Sequence, residues 1–148
     1  MCQLNVFEYD LWPLPIFHNG HWALATLDLV TTRLELWDSC PGSIDLQMLR
    51  YLMRALIRSQ WEGCMGPMPI PGKLKFPRIT SVKCARQSNG VDCGVFLLEF
   101  CDVQLERPSG ISINEVHQMS SRKSTHQIQL KGRAKILKSL KGVLQSFQ

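Results

Sequence analysis

"QSNGVDCGVF", residues 87–96, joins a polar, turn-prone run to an apolar one. Gln87, Ser88, Asn89 and Gly90 suit a loop, and Asp92-Cys93-Gly94 then opens directly onto Val95, Phe96, Leu97 and Leu98. The apolar stretch from Gly94 to about Glu106 predicts a central core helix, ended by Arg107-Pro108-Ser109-Gly110. Cys93 therefore stands where a loop becomes a helix. The first N–H groups of a helix have no intrahelical acceptor and carry partial positive charge. A thiolate, the form of cysteine that attacks, is stabilised at such a place, and Gly94 leaves room for a substrate backbone. By position alone, a buried structural cysteine fits equally well.

Upstream, "LWPLPIF" (11–17) reads as a strand whose two prolines suit a sheet edge. His18-Asn19-Gly20 signals a turn. "HWALATLDL" (21–29) alternates only loosely, as in a strand covered on both faces, and "LELWDS" (34–39) returns antiparallel to it through a tip at "VTTR". Pro41-Gly42 breaks the chain. Ser43 is the expected cap of a helix with Asp45 in its first turn and Leu49, Leu52, Met53, Leu56 and Ile57 on one face, fading near Trp61-Glu62-Gly63. "GPMPIPGK" (66–73) reads as loop and "RITSVKCA" (78–85) as another strand. Residues 114–130 show no usable periodicity, whereas 133–147 predict an amphipathic helix with Ile136, Leu137, Leu140, Val143, Leu144 and Phe147 on one side. The fold class is α+β, a small central mixed or antiparallel sheet packed by helices.

The 148 residues suit one domain, and a hydrophobic fraction of 45% excludes disorder. No apolar run approaches the roughly 20 residues of a membrane span, and the first ten residues lack the layout of a secretory signal. An intracellular protein is expected, with Cys2, Cys40, Cys64, Cys84, Cys93 and Cys101 as reduced thiols. A structural metal is disfavoured, because no C-x-x-C pair exists and His18-x-x-His21 has no cysteine partner at finger-like spacing. The net charge of +5 is uneven: residues 107–148 hold eight Lys/Arg against the single acid Glu115. That basic end reads first as a solvated helix face. Nucleic-acid binding is disfavoured, since no aromatic-interleaved basic stripe supports it.

A nucleophilic cysteine needs a base. Of His18, His21, His117 and His126, His21 opens a strand and is followed by Trp22, an aromatic able to wall a site from water. With the hairpin tip near residue 30, Asp38 falls on the end facing His21 and could orient its imidazole. Gln87, six residues before Cys93, offers a side-chain amide as an oxyanion donor beside the Cys93 backbone N–H.

Together these residues resemble the ubiquitin-like-protein-specific (SUMO) protease family of the papain-like cysteine peptidase superfamily. His21-Trp22 opens one strand, Asp38-Ser39 closes the next, and the Gln-to-Cys box runs from Gln87 through Asp92-Cys93-Gly94. The order His, Asp, Gln, Cys is that of the family and differs from papain, where the cysteine comes first. The resemblance spans about residues 5–128. It implies a papain-like fold and a cysteine-type peptidase cleaving after the Gly-Gly terminus of a ubiquitin-like modifier. Cys93 would attack, His21 move the proton, Asp38 hold His21 and Gln87 stabilise the oxyanion. Trp22, Gly94 and Asp92 would line the substrate channel.

The resemblance implies no cofactor and no metal. The expected partner is SUMO or a related modifier with its conjugates, without membrane association, and the expected compartment is the nucleus, with the cytoplasm as alternative. The family domain ordinarily begins with further helices, so the catalytic core at 1–130 is expected to be N-terminally truncated, followed by a basic amphipathic helix at 131–148. The family's Met-Pro-x-x-Arg-Arg-like helix start is echoed by "QMSSRKSTHQIQL" (118–130). The alternative function is a catalytically weak or inactive module of the same fold that binds a modifier or partner.

Overall fold

The structure, a computed structural model, describes residues 6–65, 76, 78–106 and 125–145. The expected loop at 66–73, the helix stop at 107–110 and the segment 118–124 lie outside the described residues, as do Cys2 and His117. After a short 3-10 turn (Val6–Glu8) come β1 (Leu11–His18), β2 (His21–Asp28), β3 (Arg33–Trp37), α1 (Leu46–Met65), β4 (Ile79–Ser81), α2 (Cys93–Leu105) and α3 (Thr125–Gln145). The strands form one sheet in the order β1-β2-β3-β4. The first three pair antiparallel and β4 runs parallel to β3, so the sheet is mixed and the class is α+β.

Two turns set the register. Asn19 and Gly20 both have positive φ (49° and 76°), the backbone of the two-residue turn whose twist matches that of its strands. His18 consequently pairs with His21 and Phe17 with Trp22, with the proline-bearing β1 at the edge. At the other hairpin the Asp28 carboxylate accepts the Thr31 N–H (2.9 Å), and Asp28 pairs with Arg33.

Strand alternation sends side chains to two separate cores. Ala23, Ala25 and Leu27 of β2, with Leu34 and Leu36 of β3, pack with Leu49 and Met53 of α1. Leu24 and Trp37 point the other way, onto Val95, Phe96, Phe100 and Val103 of α2 and Ile128 of α3. A sheet with helices on both faces explains why β2 is buried from Ala23 onward rather than strictly alternating. Thr26, on the α2 side, is accommodated because its hydroxyl accepts the Trp37 indole N–H at 3.3 Å.

Three boundaries differ from expectation. Asp45, not Ser43, caps α1: its Oδ1 accepts the Gln47 N–H at 2.8 Å, while the Ser43 N–H closes a turn on the Cys40 carbonyl. Strand β4 is only three residues, although the Val82 N–H still bonds the Leu36 carbonyl and carries the chain onward beside β3. Helix α3 begins at Thr125, eight residues earlier than its apolar face suggested, and runs unbroken across 130 and 131. It lies close on α2, since a Cβ on Gly132 would collide with Val95 Cγ1.

Candidate active site

The β1–β2 turn places His21 as the first residue of β2, level with the end of β3. Leu24 stands opposite Trp37, so Asp38, one step further, lies beside the start of β2. The two side chains meet: His21 Nε2 is 2.8 Å from Asp38 Oδ1. The same oxygen accepts the Cys40 N–H at 2.9 Å, which fixes the carboxylate against its own backbone. Asp38 is buried, and its Oδ2 has no hydrogen-bond partner among the described residues. With Nε2 committed to Asp38, Nδ1 is the ring nitrogen left for proton transfer.

Gln87 reaches this corner through the continuation of β4. Its N–H bonds the Ser39 carbonyl at 3.0 Å. Its side-chain oxygen accepts the Ser39 hydroxyl (2.7 Å), and its amide nitrogen donates to the Asn89 carbonyl (2.6 Å). The amide group is thus held from both ends, and among the described residues one of its two N–H bonds is unspent. Asn89 folds the following turn, its Oδ1 accepting the N–H groups of Val91 and Asp92 at 3.0 and 3.1 Å. That turn delivers Cys93 as the first residue of α2, buried at the sheet. The Asp92 carbonyl takes the Val95 and Phe96 N–H groups, so those of Cys93 and Gly94 precede the first intrahelical bond.

Trp22 stands over this helix start. A Cβ on Gly94 would lie 3.9 Å from Trp22 Cδ1. The indole is 37% exposed and packs on Phe17 with ring centroids 4.7 Å apart. His21, Trp22, Asp38, Cys93 and Gly94 therefore lie at the ends of β2, β3 and α2, with Gln87 in the preceding loop bonded to Ser39.

Asp92 faces elsewhere. It is 3% exposed and makes no side-chain cap on α2. Its carboxylate accepts Arg133 Nη2 at 2.6 and 2.8 Å, Arg133 Nε at 3.0 Å and Asn89 Nδ2 at 2.8 Å. The Asn89 hydrogen bond, then the Arg133 guanidinium, hold its pKa below the usual carboxylate range against the opposing effect of burial. An aspartate so enclosed orients the chain and does not face a channel. Arg133 was missed from sequence because it lies 41 residues away on a helix whose start could not be read.

A second thiol lies close by. Cys84 Sγ is 3.5 Å from the Asp38 carbonyl, and burial pushes its pKa up to about 11. It stays a neutral thiol at physiological pH. Cys40, Cys64, Cys84, Cys93 and Cys101 are all unpaired. Among the described residues no cluster of His, Cys, Asp or Glu could hold a metal ion, and no helix is long and apolar enough to cross a membrane.

The structure thus sets a cysteine at a helix start and a histidine–aspartate pair on neighbouring strand ends of one α+β domain. The Ulp1 protease family, C-terminal catalytic domain, matches residues 3–134, and the chain belongs to that family. A sentrin-specific protease of Caenorhabditis elegans is 24% identical over 109 residues, covering 66% of this chain and 14% of that protein. Among solved structures, the SUMO protease Ulp1 with its catalytic cysteine oxidised to a sulfinic acid superposes with a TM-score of 0.54 at 20% identity, over 86% of this chain and 56% of that one. The Ulp1-like SUMO protease catalytic domain of Chaetomium thermophilum gives a TM-score of 0.55 at 17% identity, over 87% and 45%. The chain thus spans about half the length of these structures and a small part of the curated relative.

Proposed function

We propose that this chain is a cysteine-type isopeptidase and endopeptidase that cleaves after the Gly-Gly terminus of a SUMO-like modifier. The observation that carries the reading is the 2.8 Å His21–Asp38 pair beside the α2 start that bears Cys93. SUMO or sentrin in the names of its relatives supports the choice of modifier.

In this reading His21 Nδ1 takes the Cys93 thiol proton and the thiolate attacks the carbonyl carbon of the terminal glycine. The Cys93 N–H and the unspent N–H of Gln87 receive the oxyanion. Imidazolium returns its proton to the departing lysine or α-amine as the C–N bond breaks, leaving a thioester. Water, losing a proton to His21, then releases the modifier carboxylate and the thiol. Trp22 over Gly94 restricts the approach to a residue without a side chain, which suits a diglycine tail.

The test is hydrolysis of SUMO carrying a C-terminal aminomethylcoumarin amide. The expected result is turnover that is abolished by Cys93→Ser and exceeds turnover of the ubiquitin amide. Binding of SUMO without hydrolysis would instead establish the non-catalytic module.

A further inference from the structure

We propose that Arg133 is a positioning residue for Cys93: from α3 it neutralises Asp92 and holds the 86–92 loop, so that the Cys93 sulfur alone faces the positive end of α2. The inference rests on the reading of Cys93 as the nucleophile.

Three side chains of α3 spaced four residues apart grip this loop. The Thr125 hydroxyl donates to the Arg86 carbonyl at 2.7 Å, the Gln129 amide to the Ser88 hydroxyl at 3.3 Å, and Arg133 to Asp92. The spacing is that of one helix face. Their partners bracket Gln87 and end at the residue before Cys93. The adjoining face, with Ile128 and Ile136 packed in the α2 core, closes through Gly132 onto Val95.

The orientation of Asp92 gives this grip a chemical consequence. An aspartate before a helix ordinarily accepts an N–H of its first turn. Here it makes no such bond and turns to Arg133 instead. A carboxylate on the helix N–H groups would spend the positive field that stabilises a thiolate there, and an unneutralised one would repel it. The other ionisable groups on the elements around Cys93 include His21, Asp28, Arg33, Glu35 and Asp38 on or at the end of the sheet strands, Lys83 and Cys84 before the loop and Arg86 at its start, Glu99, Cys101 and Asp102 on α2, and His126, Lys131, Lys135 and Lys138 on α3. Among the described residues Arg133 is the cation bonded to Asp92.

The two members of the pair therefore act on Cys93 with opposite sign. Iodoacetamide alkylation of the full chain, followed across pH at the Cys93 peptide by mass spectrometry, reads the thiolate directly. Arg133→Gln should raise the alkylation midpoint by about one pH unit. Asp92→Asn should lower it, and the double variant should return from the Arg133→Gln value toward wild type. Simple loosening of the loop moves both single variants the same way, toward an ordinary thiol. Cys84, half-buried and with its pKa pushed up to about 11, reports unfolding in the same samples; should Arg133→Gln label there, Asp92→Asn decides. Coincident profiles of folded Arg133→Gln and wild type, or an upward shift in Asp92→Asn, overturn the proposal. Alkylation needs no peptidase activity, so these results stand apart from the SUMO-amide assay.

Discussion

At the scale of single residues, each group at the site is fixed by a second interaction. His21 leans on Asp38, Asp38 on the Cys40 N–H, and Gln87 on Ser39 and Asn89. In the proposed mechanism His21→Ala removes the proton carrier, and kcat on the SUMO amide should fall by about 10²–10⁴-fold with KM changed far less. Two of the thiols should differ sharply. Cys84, pushed up to about 11, should resist iodoacetamide at pH 8 while Cys93 is alkylated, as peptide mapping will show.

At the scale of elements, the antiparallel hairpins were legible and the docked helix was not. Asn19-Gly20 admits few backbones, so it placed His21, and with it Asp38, from local chemistry alone. The α3 start was hidden because its packing face runs Ile128, Gly132, Ile136. A glycine in mid-helix reads as a weak point, whereas here it permits contact with Val95. Gly132→Ala should cost about 1–3 kcal/mol in urea unfolding, and Val95→Ala, by removing the opposing methyls, should make the pair non-additive. The Asp92–Arg133 link between α2 and α3 has its own pH signature. The Asp92 pKa is lowered on folding, so its stabilisation is complete above the unfolded value of about 3.9 and is lost as pH falls through the lower folded value. Thermal melts below pH 4 should show this loss in wild type and lack that component in Asp92→Asn.

At the scale of the whole molecule, the sheet separates two cores and the site occupies the ends of β2, β3 and α2. The fold class, the edge position of β1 and the burial of β2 on both faces followed from proline placement and hydrophobic patterning. The meeting of His21 with Asp38 could be anticipated, whereas the routes that bring Gln87 to Ser39 and the 86–92 loop to α3 could not, because both are long-range. The parallel pairing of β4 with β3 spans some 45 residues, as Leu34 with Ile79, and no local signal marks it. The α3 clamp spans a similar distance and joins a polar loop to a basic helix face that reads, in sequence, as plain solvated surface.

The measurement that bears most directly on Cys93 as the nucleophile of this fold is adduct mapping with SUMO carrying a C-terminal electrophile. One adduct is predicted, on Cys93, absent in Cys93→Ser and strongly slowed in Asp38→Ala. A folded chain that forms no adduct, or forms it on Cys40, Cys84 or Cys101 with Cys93 untouched, would contradict the account.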